Sequence, residues 1–237
     1  MERLDKVIAN RGIASRREVK ELVRQGRVLV DGAAASAPDM KVCAESMTIT
    51  VDGAAVCGER YAYLLLHKPS GVLTATEDAH QPTVLDLVPQ ALRRSGLAPV
   101  GRLDKDTEGL LLLTDDGELT HRLLSPRYHV DKVYYAQVDG TPDESDAAAF
   151  AAGLLLGDGL QCLPAKLEPL GGDACLVTLR EGKFHQVKRM LAARGKPVRY
   201  LKRLSMGPLR LEETLHRGEC RPLTDREVEA LRKCCGL

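Results

Sequence analysis

Apolar residues at helical spacing open the chain and predict two short helices. Leu4, Val7 and Ile8 occupy positions i, i+3 and i+4, which places them on one face of a helix. Ser15 and Glu18 form a Ser-x-x-Glu capping box, in which each side chain accepts a hydrogen bond from the other residue's backbone N–H. A second amphipathic helix should therefore follow Ser15.

A change of composition after these helices marks a boundary between two domains. Residues 27–30 read as a strand, and residues 33–59 read as a loop and a strand with a connector near residues 54–60. We therefore predict a small α/β module with its connector at residues 1–59 and a larger domain at residues 60–237.

Short apolar runs alternate with turns through the larger domain. The first such run, at residues 61–66, predicts a strand, and helical spacing recurs near residues 118–124, 145–152 and 186–194. The short connections favour antiparallel neighbours. We therefore expect an α+β protein whose larger domain has a mostly antiparallel mixed sheet flanked by helices.

Composition excludes several classes of protein and site. The longest apolar runs, at residues 64–66 and 110–113, are too short to cross a bilayer, and no signal peptide is evident at the N-terminus. The seven cysteines contain no Cys-x-x-Cys pair and do not alternate with histidine at zinc spacing. We expect a cytoplasmic protein with reduced thiols and no metal.

Positive charge is concentrated in two segments, although the net charge of the whole chain is only +1. Residues 1–30 carry eight Lys and Arg against four acids, a net of +4, and Arg16, Lys20 and Arg24 are four residues apart. Residues 180–210 carry ten Lys and Arg against one acid, a net of +9. A solvated helix face explains a few such cations, but this density favours two phosphate-contacting surfaces, one in each domain.

A charged loop at residues 99–109 carries the candidate chemistry. Gly101 and Gly109 bracket it and allow sharp turns of the backbone, while the apolar run at residues 110–113 follows it. Loops held by a rigid sheet are a favoured place for catalytic groups. Asp104 and Asp106 are the acids at the centre of this loop.

Two kinds of metal site compete with a catalytic role for these acids. Asp104, Asp106, Glu108, Gly109 and Asp115 match positions 1, 3, 5, 6 and 12 of a calcium-binding loop. Strand-like and turn sequence flanks the loop, however, where an EF-hand requires helices. The second kind is an Asp-x-Asp metal site of the sugar-transferase type. A surface loop whose acids have no function is the simplest interpretation of the segment taken by itself.

The first fifty residues resemble the S4 RNA-binding module. The resemblance rests on Arg3-Leu4-Asp5-Lys6, on Ser15-Arg16-Arg17-Glu18 and on the segment at residues 26–32. It implies that the basic helical face meets structured RNA, mainly through its backbone and shape. The RNA-binding candidates of both domains are Arg3, Lys6, Arg16, Arg17, Lys20, Arg24, Arg27, Lys105, Lys183 and Arg189.

The charged loop resembles the signature of the RsuA-like pseudouridine synthases. The match begins with Gly101-Arg102-Leu103-Asp104 and runs to Thr114, and further motifs agree with the family's order along almost the whole chain. These motifs lie at residues 68–71, 121–126, 132–134, 181–190 and 221–224.

This resemblance assigns a role to each residue of the expected site. It makes Asp104 the catalytic carboxylate and places Lys188 within hydrogen-bonding reach of it, where the ammonium offsets the cost of desolvating the anion. Tyr134 stacks on the target base, and Leu179 forms an apolar wall. Arg102 and Lys105 would hold phosphates near the target nucleotide. The reaction needs no redox change, so no cofactor is expected. Spacing alone favours a solvated helix cation for Lys188, and a half-buried strand residue is the alternative interpretation of Tyr134.

The segment Lys183–Met190 bears on which RNA is modified. It resembles Arg-Tyr-His-Gln-Val-Lys-Arg-Met of the small-subunit enzymes more than Arg-Asn-Arg-Gln-Val-Arg-Arg-Met of the large-subunit relatives. We therefore expect a monomer that acts on 16S ribosomal RNA or a small-subunit assembly intermediate, with the family target uridine 516. The competing hypotheses are a 23S-directed relative and a non-catalytic RNA-binding assembly factor.

Overall fold

A computed structural model of the protein describes residues 1–44, 46–56 and 61–237. Its chain forms two compact units. The first comprises residues 1–62 and 89–97, and the second comprises residues 63–88 and 98–237. Residues 57–60 of the expected connector, Cys57 among them, lie outside the described residues, and the division at residues 59 and 60 stays a prediction.

The first unit combines two helices with short antiparallel strands. The strand β2 lies between β3 and β5 in a sheet of order β3-β2-β5-β6, while β1 pairs with β4. These elements are β1 (Glu2–Arg3), α1 (Leu4–Asn10), α2 (Arg16–Arg24), β2 (Val28–Val30), β3 (Ala33–Ala34), β4 (Lys41–Val42), β5 (Ile49–Val51) and β6 (Ala54–Ala55). The two helices and the strand predicted for the first thirty residues are thus confirmed.

The predicted capping box starts α2 and turns its apolar face toward the core. Ser15 Oγ accepts a hydrogen bond from the Glu18 backbone N–H at 3.3 Å, and a Glu18 carboxylate oxygen accepts one from Ser15 N–H at 2.6 Å. Val19 of α2 then packs fully buried with Leu4 and Ile8 of α1. The charged residues of α2 lie on the opposite, solvent-exposed side.

A large mixed sheet forms the second unit. Its strand order is β11-β12-β10-β13-β9-β7-β15, with β14 on β13 and β8 on β9, and its pairs are antiparallel except β13 with β9. The strands are β7 (Tyr63–Lys68), β8 (Ala98–Pro99), β9 (Glu108–Thr114), β10 (Lys132–Val138), β11 (Lys166–Gly171), β12 (Ala174–Leu179), β13 (Val198–Met206), β14 (Leu209–Arg210) and β15 (Cys220–Pro222).

Four helices accompany this sheet, and the three that the sequence predicted are among them. They are α3 (Gly117–Leu124), α4 (Glu144–Ala152), α5 (Gln186–Ala193) and α6 (Asp225–Cys234). The α+β class with a mostly antiparallel mixed sheet is therefore confirmed. Within the described ranges, no helix has the length and apolar character needed to cross a membrane.

The central strands β7 and β9 fix the charged loop at one end of the sheet. Every residue of both strands is buried, and the side chains at 110–113 are completely so. A strand covered on both faces reads as a continuous apolar run, which explains the four successive leucines. Because β9 begins at Glu108, the loop that precedes it is anchored to the most buried part of the unit.

Gly109 is required by the parallel contact between β9 and β13. It lies opposite Arg203 with φ of +110°, and a Cβ at this position would collide with the Arg203 backbone. A non-glycine residue would meet both an unfavourable backbone conformation and a steric clash. The glycine therefore permits the close approach of the two strands.

A buried lysine ties the charged loop to the end of β7. The Lys68 side chain is fully buried, and its ammonium donates hydrogen bonds to the backbone carbonyls of Pro69 (2.9 Å), Lys105 (3.1 Å) and Thr107 (2.9 Å). All three N–H donors are thereby used. Burial lowers the pKa of Lys68 to about 8, although the nearby acids Asp106, Glu108 and Asp104 oppose that shift.

Gly109→Ala should destabilise the protein by about 3 kcal/mol or more, because the added methyl group forces β9 and β13 apart. Gly117→Ala is the matched control. Gly117 begins α3 with nothing within 4 Å of an added Cβ, so the change should stay within about 1 kcal/mol. Urea unfolding of both variants measures the difference, and equal midpoints would contradict the steric argument.

The buried charge of Lys68 predicts how stability responds to alkaline pH. Its folded pKa of about 8 lies below the ordinary value of 10.5. Below pH 8 both states hold the proton, whereas between these two values only the unfolded state holds it. The free energy of unfolding of the wild type should therefore rise with pH relative to Lys68→Met across this window.

Chemical denaturation of the wild type and Lys68→Met at a series of pH values tests this linkage. Lys166→Met serves as the control, because that lysine is largely exposed on β11 and should show no such trend. Parallel stability curves for the wild type and Lys68→Met above pH 8 would rule out a buried charged amine at this position.

Candidate active site

The structure brings the predicted residues Asp104 and Lys188 together. Lys188 Nζ lies 3.3 Å from Asp104 Oδ2 and 2.5 Å from Asp106 Oδ1, so one ammonium is shared by two carboxylates. Asp104 is the less exposed of the two acids, with 25% of its side chain accessible against 71% for Asp106. The contact with Asp106 was not anticipated from the sequence.

The shared ammonium affects the two carboxylates differently. The pKa of Asp106 is lowered, first by its hydrogen bond with Lys188 and then by the positive charge of that residue. Asp104 makes the longer contact with Lys188 and also has His185 Nε2 at 3.5 Å from its other oxygen. Asp106 thus holds the ammonium, while Asp104 keeps much of its hydrogen-bonding capacity for another group.

Backbone contacts hold Asp104 in place from both sides. Thr74 Oγ1 donates to the Leu103 carbonyl at 2.7 Å and accepts from Leu103 N–H at 3.2 Å. The Thr107 N–H donates to the Asp104 carbonyl at 3.1 Å, which closes the turn after the aspartate. Together with the Lys68 ammonium, these bonds fix the loop before any substrate arrives. Sequence reasoning missed Lys68 and Thr74, although Lys68 lies within a motif that it identified.

A constrained turn positions Lys188 on α5. His185 precedes that helix in a left-handed conformation, with φ of +50°, which is unusual for a residue other than glycine. The buried Gln186 side chain accepts from the Lys183 N–H at 3.0 Å and donates to the Glu181 carboxylate at 2.5 Å. These bonds hold the turn in its strained form and set the direction in which α5 starts.

A small cavity gathers five of the predicted residues. It has a volume of about 60 Å³ and is lined by Arg102, Asp104, Tyr134, Leu179 and Lys188, among others. Tyr134 and Leu179 are buried at 8% and 2% exposure. The cavity therefore offers an aromatic ring, an aliphatic wall and a carboxylate paired with a cation.

Alternation along β10 explains how the sheet supplies the floor of this site. Lys132 and Tyr134 are both buried, and Tyr134 lies opposite Arg203 of β13 while Lys132 lies opposite Leu179 of β12. Residues paired directly across antiparallel strands project from the same face of the sheet. One face therefore carries all four side chains.

A larger cavity of about 540 Å³ adjoins the small one. Both are lined by Asp104 and Tyr134, but Lys132, Arg203 and Phe184 line only the larger one. The Phe184 ring is 71% exposed and stacks on His185, with ring centroids 3.8 Å apart. Sequence reasoning assigned none of these three residues to the site, although Lys132 lies in the motif at residues 132–134 and Arg203 was counted among the cations of residues 180–210.

The predicted RNA-binding residues of the first unit differ in their availability. Arg16, Arg17 and Lys20 are exposed on α2 and have no ion-pair partner in the part of the chain that the structure describes. The other four are paired with acids of the same unit, as Arg3–Asp5, Lys6–Glu2, Arg24–Glu21 and Arg27–Asp52. The available positive charge is therefore concentrated on α2.

The net charge of +9 at residues 180–210 overstates the positive surface of the second unit. Arg203 is buried, and seven of the other cations form ion pairs, mostly with acids that the fold supplies from elsewhere. The pairs include Arg180–Asp131, Lys183–Glu181, Lys188–Asp106, Arg189–Asp158, Arg194–Asp146, Lys196–Asp146 and Arg199–Asp173. A local count ignores distant acids, and the second basic surface stays a prediction. Both RNA-binding residues predicted in this segment, Lys183 and Arg189, are ion-paired. The third one predicted in the second unit, Lys105 of the charged loop, is exposed and donates a hydrogen bond to Gln81 at 2.7 Å.

The acids that match a calcium-binding loop do not converge on one point. Asp104 and Asp106 contact the Lys188 ammonium, whereas the Glu108 carboxylate accepts hydrogen bonds from Tyr200 and Arg217. Among the described residues there is no group of three or more His, Cys, Asp or Glu side chains arranged to hold a metal ion.

Comparisons with known proteins identify the family of this chain. Residues 62–193 match the RNA pseudouridylate synthase family, and residues 2–49 match the S4 domain. A crystal structure titled pseudouridylate synthase has a TM-score of 0.68 and 37% identity, covering 98% of this chain and 100% of that one.

Three relatives match over nearly their full lengths. An uncharacterised RNA pseudouridine synthase, YtzG of Bacillus subtilis, is 45% identical over 97% of this chain and 98% of its own. Ribosomal large subunit pseudouridine synthase B of Bacillus subtilis is 41% identical over 98% and 96%. Ribosomal small subunit pseudouridine synthase A of Haemophilus influenzae is 38% identical over 98% and 100%. The chain therefore belongs to the RNA pseudouridylate synthase family, as an enzyme that isomerises uridine in RNA and carries an S4 domain.

Proposed function

We propose that this enzyme converts one uridine of 16S ribosomal RNA to pseudouridine, with Asp104 as the catalytic carboxylate. The observation that carries the proposal is the small cavity in which Asp104, Lys188, Tyr134 and Leu179 meet. These residues come from the charged loop, from α5 and from two strands, so only the folded chain assembles them.

The chemistry of the reaction suits this set of groups. The bond between ribose C1′ and uracil N1 breaks, the base turns, and C1′ bonds to C5, while a proton leaves C5 and N1 ends protonated. A carboxylate serves as nucleophile toward the sugar or base, or as the base that removes a proton. The Lys188 ammonium lies 3.3 Å from Asp104 and supplies positive charge beside that carboxylate. The Tyr134 ring provides a flat surface against which the uracil can turn.

The target base must first leave its stack in the RNA, which costs a few kcal/mol. Binding to other parts of the RNA has to offset that cost. Arg16, Arg17 and Lys20 are placed to contribute, since they are exposed on α2 and pair with no acid within the described ranges. Their contacts with phosphates would be independent of sequence and sensitive to salt.

The choice of 16S RNA rests on a residue that contacts the reactive carboxylate. Position 185 is histidine here, as in the small-subunit enzymes that the segment resembles, and its ring lies 3.5 Å from Asp104. The large-subunit pattern has arginine at this position, which would place a permanent charge beside the aspartate. Relatives named for each ribosomal subunit are similar to this chain, so a 23S-directed enzyme is the second candidate. The proposed target is uridine 516, and the proposed state is a monomer.

Asp104→Ala should abolish conversion while leaving RNA binding largely intact, because the side chain is needed for chemistry rather than for affinity. The expected loss of rate is at least about 10²- to 10⁴-fold. Carbodiimide primer extension on 16S RNA, 23S RNA and small-subunit assembly intermediates maps any new pseudouridine. Asp106→Asn removes a carboxylate two residues away and should retain measurable activity.

Full activity in Asp104→Ala would remove the catalytic assignment. A primer-extension stop that appears only in 23S RNA would select the second candidate. No stop in any of the three substrates with the wild type would contradict the proposed ribosomal target.

Lys188→Met should lower the rate about 10- to 100-fold at neutral pH, since a hydrogen bond between charged groups is lost. Lys188→Arg keeps the charge and should restore most of the activity. If Lys188→Arg is as slow as Lys188→Met, the positive charge at this position has no role in the reaction.

A further inference from the structure

Two buried cations at the floor of the larger cavity have no place in the chemistry proposed above. Lys132 of β10 and Arg203 of β13 are only 4% and 2% exposed, and both line that cavity. They project from the same face of the sheet as Tyr134. The larger cavity therefore has two buried cations in its lining, next to the small cavity that contains Asp104 and Tyr134.

Neither cation has an acidic partner among the residues that the structure describes. Arg203 Nε donates to the Leu110 carbonyl at 2.7 Å, but its buried Nη2 has no hydrogen-bond partner there. The Lys132 ammonium makes one long contact, 3.3 Å to the Val130 carbonyl. The neighbouring Asp131 carboxylate contacts Arg180 instead, at 2.8 Å.

Burying two cations without an anionic partner costs free energy unless a ligand supplies the missing negative charge. Buried charges are normally paired, and a guanidinium with an unused donor is expensive to hide from water. Burial first, and then the positive charge of Arg203, lower the pKa of Lys132 to about 8, although Asp131 opposes that shift. By contrast, most cations at residues 180–199 have an acid beside them. This contrast points to an anionic ligand that enters the cavity.

The two cavities share a wall, and that wall limits what the anion can be. Asp104, Tyr134 and Arg102 line both cavities, whereas Lys188 and Leu179 line only the small one. A base that turns into the small cavity carries its sugar past Asp104, so the adjoining phosphodiester passes the shared wall. The larger cavity, with a volume of about 540 Å³, has room for that phosphodiester. The paired N–H donors of a guanidinium match the spacing of phosphate oxygens.

We propose that Lys132 and Arg203 form a subsite for the phosphodiester next to the target uridine. The proposal rests on the proposed function, because it requires an RNA whose uridine reaches Asp104. The subsite fixes the backbone of the flipped nucleotide, so that the sugar stays beside Asp104 while the base turns. Lys132 and Arg203 are thus assigned to binding and positioning, and Asp104 to the reaction.

Methylphosphonate scanning of the RNA tests the subsite without altering the protein. The probe is a 16S fragment that the wild type modifies, with one phosphodiester at a time replaced by its uncharged analogue. We expect one linkage beside the target uridine at which the substitution weakens binding on the order of tenfold. If no single linkage near the uridine has such an effect, the proposal is overturned.

Lys132→Met supplies the protein side of a double-mutant cycle. With the native RNA it should raise KM and Kd by a similar factor, and lower the slope of log Kd against log salt by about 0.7–1. With the methylphosphonate at the sensitive linkage, it should cause little further loss, because both changes remove the same contact. If the two changes together raise Kd by the product of their separate factors, they act independently and the proposed contact is overturned.

Lys202→Met is the matched control. This lysine neighbours Arg203 on β13 and therefore projects from the opposite face of the sheet. The Kd of Lys202→Met for the RNA, and the dependence of that Kd on salt, should equal those of the wild type. Thermal unfolding of Lys202→Met and Lys132→Met checks that each variant retains the fold. If Lys132→Met does not fold, the scan with wild-type protein still overturns the proposal where no linkage near the uridine is sensitive.

The outcomes separate this proposal from the proposed function. Conversion of uridine by the wild type, with unchanged Kd and salt slope in Lys132→Met, would overturn the subsite alone. A fall in kcat without sensitivity to any phosphodiester would place the two cations against the base instead, which also overturns it. The absence of conversion by the wild type in any ribosomal RNA would remove both proposals.

Discussion

The active-site loop depends on a buried ammonium that satisfies three backbone carbonyls. Lys68 at the end of β7 donates to Pro69, Lys105 and Thr107, and so joins a central strand to both sides of the turn that carries Asp106. Carbonyls in a tight, partly buried turn would otherwise need water, and an acceptor left without a donor there costs free energy. The loop is consequently part of the rigid sheet, although it is rich in charge.

The same ammonium contributes to the charge balance at the site. Two carboxylates, Asp104 and Asp106, are close to two ammonium groups, those of Lys68 and Lys188, and Lys188 is the one that touches them directly. Asp106 makes the shorter contact and is mostly exposed, so it orients Lys188 without occupying the cavity. Asp104 has the Lys188 ammonium 3.3 Å from one carboxylate oxygen and the His185 ring 3.5 Å from the other. This asymmetry supports the proposal that Asp104 reacts while Asp106 holds the cation.

Local sequence patterns predicted the parts of the fold that local interactions determine. The Ser15 and Glu18 capping box is a short-range structure, and it forms as expected. The run of four leucines in β9 likewise indicated a buried strand. By contrast, the approach of Lys188 to Asp104 depends on the packing of α5 near the loop, and only the family resemblance suggested it. The strained backbone of His185 has no signature in the sequence, because histidine carries no general preference for a left-handed conformation strong enough to predict it.

Counting charges along the sequence fails for a related physical reason. Residues 180–199 look strongly basic, but the fold brings acids such as Asp131, Asp146 and Asp173 against them. A paired cation contributes little to the field at a distance, since the two opposite charges largely cancel there and salt screens the remainder. In the function that we propose, the long-range attraction for RNA is therefore concentrated on α2, where Arg16, Arg17 and Lys20 form no ion pairs within the described chain. The second unit instead keeps two buried cations in the lining of its larger cavity, where we propose that they bind one phosphodiester. Affinity and positioning are thus assigned to different cations, and only the geometry of the folded chain distinguishes the two kinds.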